Sequence, residues 1–229
     1  MINTRTILAT IAAVLLTAAS VNAQVVEVVG GQTNVALDFA TLESAANLVL
    51  SSVTSDVINP GTLADSVAFP INARDAASLA TTFSYDPSDF PGTFSGAIEH
   101  TGSVLFNADS VEVGNFTIGF DGDRVGNLGG AGSGFFVAST TGIAANLFDV
   151  VNIGTLTTTT SNLEIGADLA VSPEFGSFLL DNGLSNSNLE GAVVGAALVQ
   201  AVVPEPSAGI LLLLAMGGFA HIVRAGRRK

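Results

Sequence analysis

Between Gln24 and Val203, apolar residues recur at a spacing near two, in short runs broken by Gly, Asn, Asp or Pro. That alternation marks half-buried strands, whose successive side chains point to opposite faces. Residues 25–29 and 34–39 predict the first two strands, with Gly30-Gly31 as the break. Residues 41–50 read two ways. Leu42, Ala45, Ala46, Val49 and Leu50 fall at helical spacing, while Ser51-Ser52 and Val53-Thr54 favour a return to strand. Asn59-Pro60-Gly61 predicts a turn, and 86–92, with Pro87 and Pro91, a loop.

The middle of the chain alternates most clearly. Residues 98–107 predict a strand. Val111, Val113, Phe116, Ile118 and Phe120 then keep the period on either side of Gly114-Asn115, as two strands or as one with a bulge at Gly114. Asp121-Gly122-Asp123 predicts a turn, and 126–134 a glycine-rich loop. Strands are predicted to start at Phe135 and to cover 147–153, 155–160, 162–165 and 192–203. Many short strands with turns between them, and little helix, predict an all-β fold: a single antiparallel β-sandwich or jelly-roll-like domain over 24–202. There is no fixed-period repeat to indicate a propeller or β-helix.

The two ends follow another pattern. Arg5, then an apolar run over 7–19, then Val21-Asn22-Ala23 predict a signal peptide over 1–23, cut between Ala23 and Gln24. An apolar run of about 13 residues is too short to span a hydrocarbon core of about 30 Å. At the other end, Val203-Pro204-Glu205-Pro206-Ser207 leads into an apolar helix over 208–223, followed by Arg224, Arg227, Arg228 and Lys229. The cations after the helix predict a C-terminus in the cytoplasm and a body outside the membrane.

A short Pro-Glu-Pro motif, one apolar helix and a basic end together resemble the PEP-CTERM tail of exported Gram-negative proteins. Under that resemblance 203–229 is a sorting tail, with the motif at 203–207, the transmembrane helix at 208–223 and the basic stop at 224–229. The resemblance implies signal peptidase and an exosortase-like transpeptidase as partners, and association with exopolysaccharide. It also implies a cell-envelope, cell-surface or matrix location after transient anchoring in the inner membrane. In the body, Leu42-Glu43-Ser44-Ala45-Ala46, Glu99-His100-Thr101-Gly102-Ser103-Val104, 113–121 and Gly134-Phe135-Phe136-Val137 are similar to segments of β-rich PEP-CTERM proteins without an assigned activity.

Charge narrows the function classes. All acidic residues but Glu205 lie in the body, where Arg74 and Arg124 are the only cations, so 2 cations against 19 acids leave a formal charge of −17. Such a surface repels phosphate backbones and argues against nucleic acid as a partner. With no Cys, the chain has no disulfide, thiolate metal site or cysteine nucleophile. Stability must therefore come from burial in one core.

The candidate chemistry is sparse. Asp121 and Asp123, with Asp109 or Asn127, offer carboxylates for a structural calcium, though the spacing departs from the EF-hand loop. Glu99 and Glu112 are the candidate acids of a glycan hydrolase. His100, the body's single histidine, is read as a surface or hydrogen-bonded structural residue ahead of an acid–base one. The glycines of 126–134 lack the Lys and following helix of a phosphate loop. Asn115-Phe116-Thr117 fits a glycosylation sequon inside a predicted strand, and Thr157 to Thr160 a strand with outward hydroxyls or an O-glycosylation target. The expectation is a non-enzymatic structural or adhesive envelope protein with no cofactor. The alternative is a carbohydrate-binding module presenting Phe90, Phe94 or Phe175.

Overall fold

The computed structural model describes residues 24–59 and 62–204. The signal peptide up to Ala23, and the tail from Glu205 through Ser207 to Lys229, lie outside the described residues. The fold is mostly β and antiparallel. Its strands are β1 (Val26–Glu27), β2 (Gly30–Leu37), β3 (Leu50–Val53), β4 (Val67–Pro70), β5 (Ser84–Tyr85), β6 (Ile98–Glu99), β7 (Ser103–Phe106), β8 (Val111–Val125), β9 (Gly132–Gly142), β10 (Ala145–Thr158), β11 (Asn162–Val171) and β12 (Val193–Val202). The helical pieces are α1 (Phe39–Ala46), α2 (Phe90–Thr93), α3 (Asn127–Gly130) and α4 (Pro173–Asp181). In α3, Leu128 and Gly129 have left-handed φ, so it is a turn rather than a right-handed helix.

The expected sandwich gives way to a single curled sheet. Ten strands join in the order β3-β7-β8-β9-β10-β11-β12-β2-β4, with β6 also on β8, while β1 and β5 form a separate ribbon. Strands β7 to β11 follow one another through short connections, so each pairs with its predecessor and none crosses to a second layer. β12 then pairs with β2 from Gly195↔Leu37 to Val202↔Gly30, setting the first long strand beside the last. The sheet's two margins meet at bridges between Ile71 and His100 and between Ile58 and Ala68. Bulges supply the curvature, with register shifts in β10 between Val151 and Thr155 and in β8 between Phe120 and Val125.

Two sequence expectations change at these irregularities. Residues 111–125 form one long strand that stays in register with β9 past Asn115 (φ 48); the extra residue lies opposite, within 100–102, between the β6 and β7 registers on β8. Asp121-Gly122-Asp123 does not end the strand; it is an outward bulge within β8. The ambiguous 41–50 segment divides into α1 and β3. Asp38 caps α1 through the Thr41 amide at 3.0 Å, and Asn47 closes it in a left-handed conformation.

The core lies inside the curl. Leu42 of α1 and Phe175 of α4 close one end, with Phe106, Val113, Phe148 and Leu169 on the walls. An aromatic cluster closes the other, running Tyr85–Phe90–Phe94–Phe135 at ring separations of 5.4, 5.4 and 5.0 Å. Gly31 permits the closure of β2 on β12: its φ is +123, and a Cβ there would lie 2.2 Å from the Gln200 carbonyl. Gly31→Ala is expected to cost about 2 kcal/mol or more through backbone strain, read from the urea midpoint.

Candidate functional site

Two polar constellations are built into this apolar frame. The first gathers around Arg124, one of the body's two cations. Its guanidinium hydrogen-bonds Asp149 of β10 at 2.8 Å, pairs with Glu174 at the start of α4, and lies 5.4 Å from the Phe136 ring centroid. Asp121 stands at 3.9 Å on the exposed side. Arg124 is 7% exposed and Asp149 only 1%. Asp149 lies opposite Phe136 on β9 and Ala170 on β11, on the outer face of the sheet. The Asp121–Gly132 hairpin tip therefore folds back over that face, and Arg124 fastens it.

Burial opposes the charge on Arg124, yet the bonds and field of Asp149 and Glu174 outweigh it and hold its pKa above the ordinary value. Glu174 is likewise disfavoured by partial burial. Its own backbone amide, Asn146 and Arg124 nevertheless hold its carboxyl below the usual value. Glu174 is placed by Ser172, which caps α4 by accepting from the Phe175 amide at 3.0 Å, with Pro173 in the first turn. Asp149 Oδ2 has no hydrogen-bond partner among the described residues.

The second constellation is internal. His100 is fully buried; Nδ1 lies 2.9 Å from the Phe116 carbonyl and Nε2 2.8 Å from the Thr33 hydroxyl. The carbonyl can only accept, so Nδ1 carries the proton, and Nε2 accepts from Thr33. Burial pushes the His100 pKa down to about 4, against the smaller opposing effect of the Phe116 carbonyl. The imidazole is thus neutral and bonded at both nitrogens, inside the domain rather than on its surface. His100 and Thr33 touch a cavity of about 60 Å³ that is otherwise lined by apolar side chains such as Val35, Phe69, Phe116 and Leu147.

The other predicted residues are scattered. Asp121 and Asp123 are exposed in the β8 bulge, where Asp121 accepts from the Asp123 amide at 2.9 Å. Their cationic neighbour is Arg124, and no group of three or more His, Asp or Glu suited to a metal occurs among the described residues. Asp109 is at the opposite end of β8, bonded to Ser52 at 2.9 Å; ten strand positions separate Val111 from Asp121, about 34 Å. Glu99 pairs in register with Thr117, five positions from Glu112 along β8, or about 17 Å, beyond the roughly 5–9.5 Å of a glycosidase pair.

The aromatic expectation is corrected. Phe90 and Phe175 are 7% and 3% exposed, and Phe94 packs between Phe90 and Phe120. These rings build the core because a disulfide-free domain needs its largest apolar groups inside. The Arg124–Asp149–Glu174 set escaped sequence reasoning, although Ser172-Pro173-Glu174 is a legible helix start.

In fold the chain is similar to the C-terminal domain of HtaA from Corynebacterium glutamicum, known from a crystal structure. The identity is 14% and the TM-score 0.49, over 78% of this chain and 99% of that one. No family model matches the chain, and no curated protein matches it.

Proposed function

We infer that this chain is an exported β-domain protein of the cell envelope or extracellular matrix, structural or adhesive in role. A signal peptide delivers it, and an exosortase-like transpeptidase processes it at Pro204-Glu205-Pro206. The observation that carries this reading is the exposure of Pro204. Val203 is 3% exposed and belongs to the core, and Pro204, the next residue, is exposed. Val203, the first residue of the motif, is thus anchored in the body, and Pro204 beside it is open to a processing enzyme. The N-terminal side emerges at the same place: the Val29 amide donates to the Val202 carbonyl at 3.0 Å, and Gln24 and Val25 are exposed. The exopolysaccharide association follows from the tail's resemblance, with divalent cations as bridges between exposed carboxylates. Burial of Phe90 and Phe175 weighs against the sugar-binding alternative, which needs exposed rings.

Terminal and intact-mass analysis of protein from fractionated cells and medium tests this. The expected product starts at Gln24, ends between Pro204 and Pro206, and is found outside the inner membrane. A product that keeps Lys229 and stays in the inner membrane would overturn the processing and leave a plain tail anchor.

A further inference from the structure

The curled sheet lacks a strand at one place. β9 pairs with β10 only as far as Gly132 opposite Val151, whereas β10 continues to Thr158, held on its other side by β11. Along Asn152–Thr158 the outer backbone edge has no neighbouring strand among the described residues. β9 stops short because the hairpin that precedes it is fastened to the outer face by Arg124. Sheets usually guard such an edge with Lys, Pro or another charge. Here 150–163 contains no charged residue and no proline, and it includes Ile153-Gly154-Thr155-Leu156-Thr157-Thr158-Thr159-Thr160. Ile153 and Leu156 are 39% and 49% exposed. The bulge after Val151 bends one end of the edge, but 155–158 pair with β11 in unbroken register.

We propose that this edge joins two copies of the chain, β10 to β10 and antiparallel, into one continuous sheet about a two-fold axis. The segment is self-complementary. Pairing centred on Leu156 sets Thr155 against Thr157, Gly154 against Thr158 and Ile153 against Thr159 of the second copy. These are β-favouring pairs that need no opposite charge, and they recur on both sides, as an isologous interface requires.

Charge favours the same partner. Two bodies of −17 repel over most of their surfaces, and an uncharged edge is where they approach at least cost. The nearest acids are Glu164, opposite Thr157, and Asp168, opposite Val151 and bonded to Asn152 at 3.0 Å, both on β11. The two β11 strands would lie three strand spacings apart, about 14 Å, beyond a Debye length of about 8 Å at physiological salt. A basic partner would find no carboxylate among the side chains of 152–158 themselves, and Asp168 is already engaged by Asn152. About seven residues per copy bury far less than the roughly 800 Å² per partner of a stable complex. The dimer is therefore weak and concentration-dependent, and it forms where copies are held close together on a surface.

Sedimentation velocity on the protein isolated from cells, from about 10 μM to about 1 mM, spans the range of such weak contacts. The expected result is a dimer fraction that rises with concentration and with salt, as screening reduces body–body repulsion. Hydrogen exchange at alternate amides of 152–158 should slow in step. Leu156→Lys should weaken association at least about tenfold without moving the thermal midpoint, since the side chain is exposed. Thr155→Lys is the second variant should the first fail to fold. Val53→Lys, on the separate edge strand β3, should leave association unchanged. A monomer under all conditions would overturn the proposal. So would a dimer that survives both β10 variants, or one that Val53→Lys disrupts equally.

Discussion

Replacing Arg124 with alanine is expected to cost about 3–5 kcal/mol of stability, the range for removing one member of a buried ion pair. For a domain of this size that lowers the thermal midpoint by about 10 °C or more. The cause lies in what remains. Asp149 is 1% exposed, already has one oxygen without a partner, and would lose its 2.8 Å bond to the guanidinium. The hairpin tip would also lose its fastening to β10 and α4. Glu174, at the solvent side of the cluster, keeps its hydration, so Glu174→Gln should cost about 1 kcal/mol or less. Arg124→Met with Asp149→Leu removes both buried charges and should recover most of the loss. Urea unfolding of the three variants checks this. A loss below about 1 kcal/mol for Arg124→Ala would mean that the cluster is hydrated and the hairpin is held by other contacts.

Stability is expected to fall by about 3 kcal/mol between pH 7 and pH 4 because of His100 alone. In the unfolded chain this imidazole titrates near 6.5; in the folded domain burial lowers that to about 4. Between those values the unfolded chain binds a proton that the folded chain excludes, so acid favours unfolding. The contribution is fully present above pH 6.5 and declines by about 1.4 kcal/mol per pH unit down to the folded value. Glu174 acts in a lower window: its depressed pKa adds stability present above 4.5 and lost as pH falls through the folded value. The difference between wild type and His100→Gln, measured as urea midpoints from pH 7 to 4, isolates the histidine. Gln retains a donor and an acceptor for Phe116 and Thr33, and the variant should show the shallower dependence on pH. Parallel profiles would mean that His100 is protonated in the folded state or reached by water.

Much of the strand content was legible because alternation and turn chemistry are local. Val111 to Phe120 reads as strand from its own period, and Gly114-Asn115 announces the left-handed φ at Asn115, while the bulge itself lies opposite, within 100–102. Residues 121–125 were not legible, because Asp-Gly is the usual turn pair and only the pairing of Val125 with Ser133 carries the strand onward. Helix α4 had a readable start in Ser172-Pro173-Glu174, but its apolar residues Phe175 and Leu179 resemble strand residues until their burial is known.

By itself, the sequence determined the antiparallel all-β character, the absence of thiol chemistry and the acidity of the body. It is also the source of the sorting reading, since that rests on the order of motif, apolar run and basic end. Tertiary structure alone decided that the strands close into one curled sheet, that Phe90, Phe94 and Phe175 pack inward, and that Arg124 and His100 are buried. It alone exposes the bare edge of β10. The physical reason is distance along the chain. Thr33 meets His100 across 67 positions and Arg124 meets Glu174 across 50, and whether a polar residue is buried depends on such distant partners.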